Sequence, residues 1–133
     1  MIHIDQHRDS RVPANFISEV ESRNPDKVYQ YARDFLNVGN FIPPAIKTGL
    51  IDQVIFLDSQ KSLEEFNIEI VLNHNVILDI DLDFFSPDLD YIGNDLKIKT
   101  IQQLIPHAKL ITIATSPFFI NQELALEKLN MLL

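Results

Sequence analysis

Four side chains that bind metals or move protons sit at alternate positions near the start of the chain: in MIHIDQHRD they are His3, Asp5, His7 and Asp9. Carboxylates with an imidazole suit Mn²⁺ or a similar divalent ion, and the same groups act as general acids and bases. A second cluster lies in VILDIDLDFFSPD, where Asp79, Asp81 and Asp83 alternate behind an apolar run. Burying such carboxylates without a counter-charge costs on the order of several kcal/mol per ion, a conflict that a bound cation removes. The chain has no cysteine, so thiolate sites and disulfides are excluded and the donors must be oxygen and imidazole.

Both clusters need elements that aim them. Residues two apart share one face of a strand, so Ile2 and Ile4 are expected on one side of an opening strand, with His3, Asp5 and His7 on the other. Asp9 should fall where that strand gives way to a loop, because Ser10, Arg11 and Pro13 follow. Asn24-Pro25 reads as a helix start, with Val28, Tyr31, Ala32, Phe35 and Leu36 recurring at helical spacing up to Asn37-Val38-Gly39. A shorter helix is expected from Pro43-Pro44 to Lys47-Thr48-Gly49. QVIFL at 53–57, VILDIDL at 76–82 and KLITIA at 109–114 read as strands, the first covered on both faces. Leu96, Ile98, Ile101, Leu104 and Ile105 predict a helix between the last two strands. Leu124, Leu126, Leu129, Leu132 and Leu133 predict a final one. The alternation implies an α/β fold with a mainly parallel sheet and helices on both faces. In such sheets ligands bind at the carboxyl ends of the strands, where both acidic clusters would lie.

At 133 residues and 46% apolar content the chain is expected to form a single domain, residues 1–133. A net charge of −8 argues against a nucleic-acid partner, which demands clustered Lys and Arg, and is compatible with a cationic substrate. No apolar run approaches the roughly 18 residues that a membrane span needs, and charged groups stand where a signal peptide has its apolar region. A cytoplasmic protein without membrane contact is the expectation.

Asp5-Gln6-His7-Arg8-Asp9 resembles the D-x-H-x-D metal motif of the arginase and agmatinase superfamily, and Asp79-Ile80-Asp81-Leu82-Asp83-Phe84-Phe85-Ser86-Pro87 resembles its S-x-D-x-D-x-x-D-P motif. HIDQHRD, VGNFIPPAI, LDIDLDFFSPD and ITIATSPFFI together look like the arginase-like family that includes the peptide arginases, which convert arginine side chains of peptides to ornithine. The resemblance implies an arginase/deacetylase-like fold in shortened form. It implies Asp5, His7, Asp9, Asp81 and Asp83 as ligands of two Mn²⁺ ions, with Asp5 and Asp81 bridging, and a peptide or small guanidino compound as substrate. It also places Thr115, Ser116 and Pro117 where arginases carry the glutamate that holds the guanidinium.

Around this set, His3 and Asp79 are candidates for orienting ligands, and Asn40 and Ser116 for substrate contact. Ser116 lacks the G-x-S-x-G setting of a hydrolase nucleophile. His74 and His107 read as solvated or capping histidines. The alternatives are a zinc-dependent deacetylase-type amidohydrolase and a metal-binding or metal-free interaction protein. An opening strand with no upstream partner would leave a sheet edge bare, so a homo-oligomer burying that strand or the last helix is expected.

Overall fold

The computed structural model describes residues 1–133, which divide into two compact units: Met1–Gln6 with Ile55–Leu133, and His7–Val54.

The first unit holds a four-stranded sheet in the order β2-β1-β3-β4, formed by β1 (Ile2–Ile4), β2 (Ile55–Phe56), β3 (Val76–Asp81) and β4 (Ala108–Ala114). All three pairings are parallel, as expected for strands separated by helices, so all four strands end on the same side. β3 alternates as its sequence requires: Val76, Leu78 and Ile80 are buried, whereas Ile77, Asp79 and Asp81 on the opposite face are half-buried. Ile2 and Ile4 join Leu78, Ile80, Leu82, Phe84 and Phe85 in one core. Helices α4 (Asn94–Leu104) and α5 (Gln122–Leu132) add Ile101, Leu104, Ala125 and Leu132 to it.

Three expectations are corrected here. The opening strand stops at Ile4 and does not run on to His7, because residues 5–7 bend. It is also no bare edge: β1 is paired on both sides, to β2 and β3, so it offers no oligomer surface. QVIFL contributes only Ile55–Phe56 to the sheet, both half-buried, because this strand is the edge and has one neighbour. The longer edge is β4, where Leu110 is 53% exposed. A short helix, α3 (Gln60–Glu64), was not expected from the sequence. The hydroxyl of Ser59 accepts from the Ser62 amide at 3.2 Å, and that of Ser62 accepts from the Ser59 amide at 3.0 Å.

The second unit contains α1 (Pro25–Phe35) and α2 (Ile42–Lys47), close to their expected bounds. Asn24 caps α1 by accepting from the amides of Asp26 and Lys27 at 3.0 and 3.3 Å, with Pro25 in the first turn where its missing N–H is harmless. α2 closes at Gly49, whose φ of +72° suits the left-handed cap that glycine adopts without strain. Inside this unit the Tyr31 hydroxyl donates to the Asn15 carbonyl at 2.7 Å, the Tyr31 ring stacks on Phe35, and the Lys47 ammonium lies 4.1 Å above the Phe16 ring.

Candidate metal centre

β1 and β3 run side by side with Ile4 opposite Ile80, so the residues that follow, Asp5 and Asp81, are the first beyond the paired segment on each strand. Asp5 stays buried at 1% exposure although the strand has ended. Asp81 closes β3 and also caps the next turn: its Oδ1 accepts from the Asp83 amide at 3.2 Å, opening a 3-10 turn at Leu82–Phe85. Asp83 therefore reaches the site by a helical turn and not by strand alternation, and it is wholly buried. Its Oδ1 accepts from the Gln6 amide at 3.4 Å, while the Gln6 side-chain oxygen accepts from the Ser86 hydroxyl at 3.1 Å. Beneath the turn, Phe84 and Phe85 fill the core. The buried Lys97 ammonium lies over both rings at 5.2 and 5.6 Å and donates to the Leu89 carbonyl at 2.9 Å.

His3 proves to be buried at 2% exposure, which settles it as an internal group. Its Nδ1 lies 2.8 Å from Asp79 Oδ2 and its Nε2 lies 3.2 Å from Asp5 Oδ2. Asp79 also accepts from the Thr112 hydroxyl on β4. The Ser116 side chain, which follows β4, favours the charged form of Asp81.

The charges are unevenly matched. Burial opposes the His3 imidazolium, but hydrogen bonds to Asp5 and Asp79 and their negative charges outweigh it and push its pKa up to about 10. Asp83 is pushed up to about 7, first by burial and then by the charges of Asp81 and Asp5, against the pull of the Gln6 amide. Burial raises Asp81 too, with the charges of Asp5 and Asp79 adding to it and bonds from Ser116 and the Asp83 amide opposing it.

Thus Asp5, Asp79, Asp81, Asp83, His3 and Ser116 are assembled in one unit. His7 and Asp9 follow Asp5 by two and four residues and open the second unit, where His7 is exposed and Asp9 half-buried. Asp9 lies outside any strand, as expected. Asn40 belongs to the second unit, and its amide is engaged in the turn after α1, accepting from the Asn37 amide at 2.8 Å and donating to the Phe35 carbonyl at 3.2 Å. His74 and His107 are exposed. The two non-glycine residues with positive φ are Asp9 at 44° and Ser116 at 40°, both candidates from the sequence, and such backbone strain gathers at functional sites. Thr112, Gln6 and Ser86 were missed. Thr112 could have been found as the one hydroxyl within the apolar KLITIA.

Oxygen donors gather with the His3 imidazole at the strand ends of a parallel α/β unit, a donor set of the kind that could hold a hard cation. Comparison with protein-family models, curated proteins and solved structures finds no match to the chain.

Proposed function

We propose that the chain is a manganese-dependent hydrolase of the arginase-like kind, converting the guanidinium of arginine in a peptide to ornithine and urea. One observation carries this proposal: Asp5, Asp81 and Asp83 come together at the ends of adjacent parallel strands, and the His3 imidazole is engaged with Asp5 and Asp79. Burial and mutual repulsion raise both Asp81 and Asp83, and this donor set fits a divalent cation. The resemblance supplies the rest of the ligand set, adding His7 and Asp9, and the number of ions, two. When bound, such a metal pair supplies Lewis acidity and a water acidified to near neutrality.

The chain's own groups have separate parts in the reaction. Asp5, Asp81 and Asp83 hold the cation, His3 and Asp79 orient Asp5, and the Ser116 hydroxyl steadies Asp81. The net negative charge favours a cationic guanidinium over an anionic substrate. Water adds at the guanidinium carbon, the bond from that carbon to the side-chain nitrogen breaks, both protons of the water pass to that nitrogen as the ornithine ammonium forms, and urea leaves.

The test is incubation of the chain with Mn²⁺ and arginine-containing peptides, followed by mass spectrometry for ornithine and a urea assay. Release of acetate from acetyl-lysine peptides with one equivalent of zinc would replace the proposal by a deacetylase. No metal uptake at all would leave an interaction protein. Self-association is proposed at the β4 edge, whose outer side has no strand beside it and exposes Leu110, and light scattering of a Leu110→Lys variant tests it.

A further inference from the structure

One level of the sheet carries a continuous row of side chains across all four strands. Phe56 on β2 is paired with His3 on β1, His3 with Asp79 on β3, and Asp79 with Thr112 on β4. The side chains follow the backbone register. The Phe56 ring meets the imidazole edge-on, with centroids 5.8 Å apart and planes at 87°. Across the next gap His3 Nδ1 and Asp79 Oδ2 are 2.8 Å apart, and in the last gap the Thr112 hydroxyl donates to the other Asp79 oxygen, Oδ1. From this row one bond points forward to the strand ends, from His3 Nε2 to Asp5 Oδ2 at 3.2 Å.

We infer that Thr112 and Asp79 are positioning residues for Asp5, acting through His3. The proposal rests on the metal-binding role argued above and extends it to an edge-strand residue that touches no proposed ligand. An imidazole donates to two carboxylates only if both ring nitrogens carry hydrogen and the ring plane is set to meet both. Phe56 sets one boundary of that plane and Asp79 the other. Asp79 in turn has its two oxygens divided between His3 and Thr112, so its carboxylate cannot swing about without breaking one of the two bonds. Fixing Asp79 fixes the ring, and fixing the ring fixes the oxygen that Asp5 turns toward His3. Each ring nitrogen of His3 faces a carboxylate, the geometry of a residue that aims a ligand. Partners of this kind around metal ligands typically change affinity by about 10- to 100-fold when removed.

Thr112→Val and Thr112→Ser separate positioning from support of the strand, since valine keeps the β-branched shape without the hydroxyl and serine keeps the hydroxyl. Mn²⁺ affinity is measured by calorimetry, and the ring ¹⁵N signals of His3 are followed by NMR in chelator. Asp79→Asn should weaken Mn²⁺ binding by about tenfold or more, and Thr112→Val by a smaller factor of roughly three to ten. Thr112→Ser should restore wild-type affinity, and the His3 ring signals should move in the valine variant and return in the serine one. Wild-type binding that Thr112→Val leaves unchanged, with the ring signals in place, would overturn the positioning role alone. A wild-type chain that takes up no divalent ion would overturn the metal-binding role and this one with it.

Discussion

The HIDQ segment at the end of β1 and the DIDLD segment around the end of β3 carry the same kinds of side chain on neighbouring strands, yet they are held in different ways. Asp5 is matched by a cation inside the protein, because His3, two residues before it, turns Nε2 toward it. Around Asp81 and Asp83 stand neutral donors: the Ser116 side chain and the amide of Asp83 for Asp81, and the amide of Gln6 for Asp83. Neutral donors steady a carboxylate but leave its charge in place. The β1 segment thus sets an imidazolium beside its carboxylate, whereas burial and mutual repulsion raise the carboxyls of the β3 segment.

The largest effect should come from removing charge where buried carboxylates crowd one another. Asp83→Asn keeps the shape and an acceptor for the Gln6 amide, and it is expected to abolish measurable Mn²⁺ binding, a greater loss than the roughly tenfold expected for Asp79→Asn. In chelator the same substitution should raise the melting temperature, since it relieves repulsion among Asp5, Asp81 and Asp83. Calorimetry with Mn²⁺ and thermal melts with chelator read the two effects separately. A variant that binds metal as well as wild type, or melts lower without it, would erase the contrast between the two segments.

Next in size is the packing that holds the second segment alone. Phe84 is wholly buried beneath the turn that carries Asp83, and Phe84→Ala should lower unfolding free energy by about 3–5 kcal/mol in denaturant titrations. A loss under about 1 kcal/mol would mean that the turn is not anchored by its aromatic floor.

How far these arrangements could be read in advance depends on the length over which a pattern persists. β3, α1, α4 and α5 were legible, because apolar residues recur at strand or helix spacing over six to eleven residues in each. The ends of the two acidic segments were not. Alternation of residue types continues past Ile4 and past Asp81, whereas the extended backbone does not, so His7 and Asp83 were assigned to strand faces they never occupy. Turn chemistry decided the second case: Asp81 makes a better cap for the Asp83 amide than another rung of strand would. Strand order was hidden too, since nothing in MIHI says that β1 will be flanked on both sides and nothing in QVIFL says that it will be an edge. Thr112 escaped for that reason, because its role exists only through register with Asp79 on another strand.

A smaller effect separates the segments by pH. Burial holds the Lys97 ammonium below its ordinary 10.5, so the unfolded chain binds that proton more tightly than the folded one. The resulting destabilisation is complete below the lowered pKa and fades as pH rises toward 10.5. Stability of the wild type relative to Lys97→Met should accordingly rise with pH across that window, and denaturant titrations at stepped pH check it. A flat difference would show that Lys97 loses little solvation over Phe84 and Phe85.

The smallest expected effect lies at the bond that joins the two segments. Ser86, buried behind the turn, donates to the side chain of Gln6, whose own amide donates to Asp83. A neutral hydrogen bond of this kind contributes about 0.5–1.5 kcal/mol, so Ser86→Ala should cost about that much stability. The bond also fixes the residue that presents an amide to Asp83, so Mn²⁺ affinity should fall slightly, by less than in Thr112→Val. If Gln6 is the carrier, Gln6→Ala should lose both effects, and adding Ser86→Ala to it should change nothing further. Full additivity of the two substitutions would mean that Ser86 acts on the turn by itself, and the two segments would then be joined only through their carboxylates.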